Sequence, residues 1–217
     1  MESAKRAVIT VGHGRGFVVE GSRGKLCVIT ASHCIPHLPP AHPASHLEER
    51  TYPNLLGRIG ESPTVWAECL FADPVADIAV LGEPDGQELY DECNAYCNLM
   101  PDEPLTIGDT PQDYQPIMIK TFDGEMVEAK NHRESLTTEA WLLSLNGEWF
   151  RCEVEHLPDG PLLIKNAAEP VVGGMSGSPI LSKAGTAIGV ACTPAGPNPR
   201  LAANLPGWML HRVVKSD

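Results

Sequence analysis

The sequence contains no long apolar run. No stretch approaches the roughly 20 residues that cross a bilayer, and the first ten residues lack the apolar segment of a signal peptide. We therefore expect neither membrane insertion nor secretion. The cysteines form an odd set without the spacing of a disulfide framework, which predicts a cytoplasmic protein with free thiols. These cysteines lie at positions 27, 34, 69, 93, 97, 152 and 192.

Basic residues are also scarce. Lys and Arg total 16 against 28 Asp and Glu, which gives a formal net charge of −12 at pH 7. Phosphate binding needs a clustered Lys/Arg surface, and the sequence offers no such cluster. We therefore expect no nucleic-acid partner and no membrane partner. We attribute the surplus of acid to solubility rather than to attraction of a basic substrate.

Glycine and proline are plentiful and scattered along the chain. With 20 of each in 217 residues, they favour many short strands joined by tight turns. The 42% apolar content is enough for a buried core. An all-β fold is the prediction, and we find no internal repeat.

Strand-like segments fall into two groups. The first group, in a predicted domain over residues 1–100, consists of 7–11, 16–20, 26–30, 64–71 and 78–81. Residues 38–63 are predicted to be a long exposed loop, and 83–104 a linker with a helical stretch over 87–97. The second group, in a predicted domain over 101–217, consists of 117–121, 126–130, 139–144, 148–155, 161–164, 178–181 and 187–192. Residues 206–214 have the spacing of a short closing helix.

The strongest local signal is the segment Val172-Gly-Gly-Met-Ser-Gly-Ser-Pro179, in which a serine is surrounded by glycines. Glycine tolerates positive φ, so such a loop can point two backbone N–H groups at one spot beside an exposed hydroxyl. This predicts Ser176 as a nucleophile. It also predicts that the N–H groups of Gly174 and Ser176 form an oxyanion hole.

A serine nucleophile needs a base, usually a histidine that a carboxylate orients. His33 lies in Val28-Ile-Thr-Ala-Ser-His-Cys34, where an apolar strand ends in a turn of small residues. Asp77 lies in Ala76-Asp-Ile-Ala-Val-Leu81, directly before a buried strand. Asp73 is a nearby alternative, but it precedes a proline in a turn, so Asp77 is preferred.

These three segments resemble the active-site motifs of chymotrypsin-like serine peptidases. In that family, Thr-Ala-Ala-His-Cys, Asp-Ile-Ala-Leu and Gly-Asp-Ser-Gly-Gly-Pro segments supply the triad in the same order. The resemblance implies two six-stranded antiparallel β-barrels with the active site between them. It also implies endopeptidase activity on a polypeptide substrate through His33, Asp77 and Ser176, without a cofactor.

The departures from the family pattern are informative. Met175 replaces the acidic residue that digestive members use for activation after zymogen cleavage, and the segment is closer in style to the bacterial and stress-protease branches. Pro170 occupies the position where the trypsin subgroup has a carboxylate. Together with Ala191, Cys192 and Thr193 on the strand that resembles the substrate channel, it suggests a small or medium neutral side chain in the primary pocket.

Two alternatives remain open. The first is a metal site, because residues of the types that bind zinc lie close together in the sequence. They are His33, Cys34, His37, His42 and His46, followed by Cys93-x-x-x-Cys97. Because their spacing matches no recognised zinc motif, we expect no metal. The chain could also be a catalytically silent or partner-gated protease-fold binding module. In either case the chain could act together with a separate targeting or activating protein.

Overall fold

A computed structural model describes residues 2–21, 24–40, 49–108, 116–130, 136–157, 162–192 and 201–205. Of the helices in these ranges, none has the length and apolar character that crossing a bilayer requires. The predicted closing helix over 206–214 and the predicted pocket residue Thr193 lie outside the described residues.

The first six strands form a closed antiparallel barrel. The strands pair in the order β1-β2-β3-β6-β5-β4, and β4 returns to β1. Closure leaves no unpaired edge. These strands are β1 (Val8–Val11), β2 (Gly14–Glu20), β3 (Leu26–Thr30), β4 (Thr51–Arg58), β5 (Val65–Asp73) and β6 (Ile78–Gly82).

Strand β4 corrects the prediction of a long exposed loop over residues 38–63. Its sequence contains Pro53, and the pairing with β5 shifts register between Tyr52 and Leu56. Asn54 has φ of 51° in this bulge. The bulge brings consecutive residues to the buried side, so the alternation typical of a strand is absent from the sequence.

A hairpin separates the barrels along the chain. It consists of β7 (Pro116–Lys120) and β8 (Met126–Lys130), which pair with each other as a two-stranded sheet. The sequence correctly predicted both as strands, but placing them among the strands of the second barrel was wrong.

The second barrel is also closed and antiparallel, in the order β10-β11-β14-β13-β12-β9. The all-β prediction of two six-stranded barrels is therefore confirmed. Strand β14 was not predicted, because its four residues carry no clear alternation. The strands are β9 (Leu136–Leu143), β10 (Trp149–His156), β11 (Leu162–Lys165), β12 (Pro179–Ser182), β13 (Ala187–Ala191) and β14 (Leu201–Asn204).

Two helices accompany the first barrel. Helix α1 (Glu2–Arg6) precedes β1, and helix α2 (Tyr90–Leu99) lies in the predicted linker and packs against β5. Tyr96 is the buried residue of α2, and its hydroxyl donates a hydrogen bond to the Leu26 carbonyl at 3.0 Å. The helix is therefore anchored to the first barrel.

The two barrels share part of their packing. Apolar residues of the first barrel form one cluster with Leu143, Leu181 and Val190 of the second. The connecting chain also contacts both barrels. The Leu105 N–H donates to the Val18 carbonyl at 2.8 Å, and the Thr106 carbonyl accepts from the Ala187 N–H at 2.9 Å. The relative placement of the barrels is thus fixed by buried surface and by backbone hydrogen bonds.

Candidate active site

His33 lies just beyond the end of β3. The chain leaves the strand at Thr30 and enters a single 3₁₀ turn over Ser32–Cys34. Ser32 and Cys34 point into the protein and are buried, whereas 47% of the His33 side chain is exposed. The turn of small residues therefore presents the imidazole at the surface, as the sequence predicted.

Asp77 lies directly before β6 and reaches the imidazole. Its Oδ2 is 2.8 Å from Nδ1 of His33. Its Oδ1 accepts hydrogen bonds from the Ser32 hydroxyl at 2.8 Å and from the His33 backbone N–H at 3.1 Å. Asp77 has φ of 54°, in the left-handed region that non-glycine residues seldom adopt. Both carboxylate oxygens are thus committed to the His33 turn.

Asp73, the alternative carboxylate, has a different role. Its Oδ1 accepts hydrogen bonds from the backbone N–H groups of Val75 at 2.9 Å and Ala76 at 3.0 Å. This is the pattern by which aspartate stabilises its own turn. Asp73 therefore shapes the approach to Asp77, and Asp77 is the carboxylate that contacts His33.

The contact between His33 and Asp77 changes the ionisation of both groups. Burial alone would raise the pKa of Asp77, but the hydrogen bonds from His33 and Ser32 outweigh burial and lower it from 3.8 to about 2. The hydrogen bond to Asp77 raises the pKa of His33 above 6.5, although burial opposes the rise. Near neutral pH the carboxylate is ionised and orients the ring.

Ser176 lies in the glycine-rich loop before β12. The loop is held by the Met175 N–H, which donates to the Val172 carbonyl at 3.2 Å, and by the Ser178 N–H, which donates to the Met175 carbonyl at 3.0 Å. The Met175 side chain is buried in the core of the second barrel. Met175 thus anchors the loop.

The Ser176 backbone contacts the first barrel beside His33. Its carbonyl accepts a hydrogen bond from the Arg15 N–H at 2.7 Å and lies 3.7 Å from the Cys34 thiol. Burial raises the pKa of Cys34 to about 11, so this thiol stays protonated and can donate. Because Cys34 adjoins His33 in the chain, these contacts bring the predicted base and nucleophile segments together.

Glycines make this close approach feasible. A Cβ at Gly14 would come within 2.7 Å of the Ser176 carbonyl oxygen. Gly177 has φ of 82°, and a Cβ there would lie 1.7 Å from the Arg15 carbonyl oxygen. Neither position accepts a larger residue without displacing backbone.

The two glycines that precede Met175 are lightly packed, and Gly174 is one of the predicted oxyanion donors. Gly174 has φ of 88°, and a Cβ built there would meet Leu145 at 3.4 Å. A Cβ at Gly173 would meet nothing within 4 Å. Two exposed apolar residues lie nearby: Leu145, in the turn between β9 and β10, and Val172, which directly precedes Gly173.

The predicted pocket residues are distributed unevenly. Ala191 ends β13 and pairs with the nucleophile loop: its N–H donates to the Ser178 carbonyl at 2.9 Å, and its carbonyl accepts from the Gly177 N–H at 2.7 Å. The Cys192 thiol is buried and lies 3.7 Å from the Asp77 carbonyl oxygen. Pro170 is exposed in the segment that precedes the loop.

Sequence reasoning missed two residues that support the site. The Arg15 side chain is buried and donates to the carbonyls of Leu143 at 2.8 Å and Ser144 at 2.9 Å in the second barrel. Ser32 holds Asp77 through its hydroxyl. The only available signals were an arginine within an apolar strand, which indicates a buried partner, and a serine directly before the predicted base.

Comparison with known proteins gives a mixed result. No model of a protein family matches the chain, and no curated protein does. Among solved structures, the serine protease domain of the Sesbania mosaic virus polyprotein matches with a TM-score of 0.49 and 12% identity, over 98% of this chain and 94% of that one. Inactive Rv3671c protease matches with a TM-score of 0.47 and 16% identity, over 98% and 91%. The serine-to-alanine mutant of Rv3671c from M. tuberculosis H37Rv matches with a TM-score of 0.48 and 15% identity, over 94% and 83%.

The architecture of this chain is a double β-barrel. Two closed barrels of six antiparallel strands define it. The structural neighbours named above have serine protease folds, at low sequence identity.

Proposed function

We propose that the chain is a serine endopeptidase in which His33, Asp77 and Ser176 form the catalytic triad. The single observation that carries the proposal is the 2.8 Å contact between His33 Nδ1 and Asp77 Oδ2. It leaves Nε2 as the ring nitrogen that can accept a proton from a serine hydroxyl. The carbonyl of Ser176 lies against Cys34, the neighbour of His33, which supports the assignment of Ser176 as that serine.

In the proposed reaction, His33 Nε2 takes the proton of Ser176 Oγ as that oxygen attacks the carbonyl carbon of a peptide. The N–H groups of Gly174 and Ser176 stabilise the negative charge on the carbonyl oxygen. His33 then protonates the leaving amine, and water hydrolyses the acyl-enzyme by the same base. Asp77 stays ionised throughout and stabilises the imidazolium.

The proposal extends to specificity and setting. Pro170, Ala191, Cys192 and Thr193 are proposed to border a primary pocket for a small or medium neutral side chain. Ala191 supports this, because its backbone is hydrogen-bonded to the nucleophile loop. We further propose a polypeptide substrate and a cytoplasmic location, where the seven free thiols would remain reduced.

A fluorophosphonate probe, which reacts with activated serines, tests the proposal. We expect it to label the wild-type protein and not Ser176→Ala, with labelling much reduced in His33→Ala and Asp77→Ala. Ser178→Ala is the matched control, because this serine lies in the same loop. Its buried hydroxyl has no hydrogen-bond partner among the described residues, so removal of the hydroxyl should change the free energy of unfolding little.

The variants separate the outcomes. Undiminished labelling of folded Ser176→Ala would reject Ser176 as the nucleophile. A folded wild-type protein that stays unlabelled would favour the second candidate, a partner-gated or catalytically silent binding module. The exposed Gly173 supports that candidate, because a Cβ built there would meet nothing within 4 Å, which leaves this residue room to change conformation. Labelling that appears only when a partner protein is added would identify gating.

A further inference from the structure

Two cysteines and a glutamate lie close together on the first-barrel side of the chain, outside the proposed triad. Cys93 and Cys97 are four residues apart in helix α2, which places them on one face of the helix. Glu83 directly follows β6. The two sulfur atoms and a carboxylate oxygen all lie within 4.8 Å of one another. Within the described part of the chain, this is the one group of three or more residues whose metal-binding atoms converge in this way.

The spacing is close to what a tetrahedral zinc site needs. With zinc–sulfur bonds of about 2.3 Å and a zinc–oxygen bond of about 2.1 Å, ligand atoms are about 3.5–3.8 Å apart. The cluster therefore needs to contract by at most about 1 Å. Cys97 is exposed and Cys93 and Glu83 are half-buried, so rotation of side chains can supply this contraction without moving the barrel.

The charges also suit a divalent cation. Two thiolates and one carboxylate carry three negative charges, and zinc leaves one uncompensated. Lys25 forms an ion pair with Glu83 at this position and supplies the remaining positive charge. The Lys25 side chain is 64% exposed, so it can release one carboxylate oxygen to the metal and remain nearby.

We propose that Glu83, Cys93 and Cys97 bind one zinc ion, with water as the fourth ligand. Binding forms two zinc–sulfur bonds and releases the two thiol protons. The metal would join helix α2 to the end of β6, where the Tyr96 hydroxyl of the helix already lies 3.5 Å from the Leu81 carbonyl oxygen of the strand. This revises the expectation from the sequence that the chain holds no metal.

The test is a zinc titration of the reduced, chelator-treated full chain against a chromophoric zinc chelator. We expect one equivalent to bind. Cys97→Ser, which alters an exposed side chain and should fold normally, should weaken binding by at least about tenfold, since even groups that only support a metal ligand are worth roughly 10–100-fold in affinity. Glu83→Gln should also weaken zinc binding. Cadmium should give thiolate charge-transfer absorption that Cys97→Ser loses.

Cys152→Ala is the matched control, because Cys152 is a buried cysteine of the second barrel and should leave zinc binding unchanged. Thermal unfolding gives a second readout: zinc should raise the midpoint of the wild type and not that of Cys97→Ser. Absence of zinc binding, or equal affinity in wild type and Cys97→Ser, would overturn the proposal. Fluorophosphonate labelling without metal tests the proposed triad separately.

Discussion

The backbone N–H of Arg15 donates a hydrogen bond of 2.7 Å to the carbonyl of Ser176, across the interface between the two barrels. The guanidinium of the same residue binds the carbonyls of Leu143 and Ser144, where β9 ends. The turn that follows carries Leu145, which lies over Gly174. One buried arginine thus connects the first barrel to both sides of the proposed nucleophile.

We therefore expect Arg15→Met to lower both stability and fluorophosphonate labelling. The substitution keeps an apolar stem but removes the guanidinium bonds to the carbonyls of Leu143 and Ser144. The Ser144 carbonyl retains the Gly147 N–H as a donor at 3.0 Å, so the main cost is at the Leu143 carbonyl, roughly 1–3 kcal/mol. Chemical denaturation measures the first effect, and the second-order labelling rate at low denaturant measures the second. Arg6→Met, at an exposed arginine, is the control. Equal stability of Arg15→Met and wild type would show that the interface does not depend on the guanidinium.

Labelling should rise with pH as His33 loses its proton, because only the neutral imidazole accepts the serine proton. Since the hydrogen bond to Asp77 raises the pKa of His33, the midpoint should lie above 6.5 in the wild type. Asp77→Asn should move the midpoint down and reduce the maximal rate by up to about 10⁴-fold. The pH dependence of the labelling rate measures both. A midpoint that is identical in the two proteins would contradict this role of Asp77.

The same pair should make stability depend on pH on both sides of neutrality. Asp77 has a lowered pKa, so its contribution is complete above about 3.8 and is lost as pH falls through about 2. His33 has a raised pKa, so its contribution is complete below 6.5 and is lost as pH rises through the higher value. The difference in unfolding free energy between wild type and Asp77→Asn should be largest between about pH 4 and 6.5. Urea denaturation across pH checks this, and a constant difference would contradict it.

Ser32→Ala tests whether the hydroxyl that holds Asp77 acts as a positioning residue. A hydrogen bond to a charged group contributes about 1.5–3 kcal/mol, so we expect labelling to fall about tenfold. Without that donor the pKa of Asp77 should rise. The labelling rate and NMR titration of the Asp77 carboxyl measure these effects. An unchanged carboxyl titration together with reduced labelling would mean that Ser32 acts in another way.

Gly177→Ala should prevent correct assembly of the nucleophile loop. The positive φ alone costs about 1–3 kcal/mol, and the new Cβ would overlap the Arg15 carbonyl. Gly173→Ala is the control, since a Cβ there meets nothing within 4 Å. We expect lower stability and little labelling for the first variant, and near wild-type stability for the second. Equal denaturation midpoints would refute the close approach.

The sequence predicted the parts of the site that are encoded locally. His33 and Asp77 lie next to strand ends, as their segments indicated, and His33 is exposed. The prediction of an exposed Ser176 was wrong: Ser176 is buried, because its loop packs against the first barrel at Arg15. Arg15 and Ser32 escaped prediction because their roles depend on partners distant in sequence. Arg15, for example, binds Leu143, which is 128 positions away.

The fold was predictable to a similar extent. Alternating apolar residues identified most strands, but strand β4 contains Pro53 and a bulge at Asn54, which hide the alternation. The β7–β8 hairpin has the pattern of a barrel strand pair. Only the pairing partners, which the local sequence does not specify, distinguish it from the second barrel.

The connection between the barrels has a consequence for how such a protein can evolve. Leu105 is hydrogen-bonded to Val18 of the first barrel, and the next residue, Thr106, to Ala187 of the second. Adjacent residues are thus hydrogen-bonded to different barrels, and no linker residue separates them. The barrels are consequently not exchangeable modules. A gene fusion that joined this first barrel to a foreign second barrel would have to replace the bond between Thr106 and Ala187 without disturbing the bond between Leu105 and Val18 at the adjacent residue.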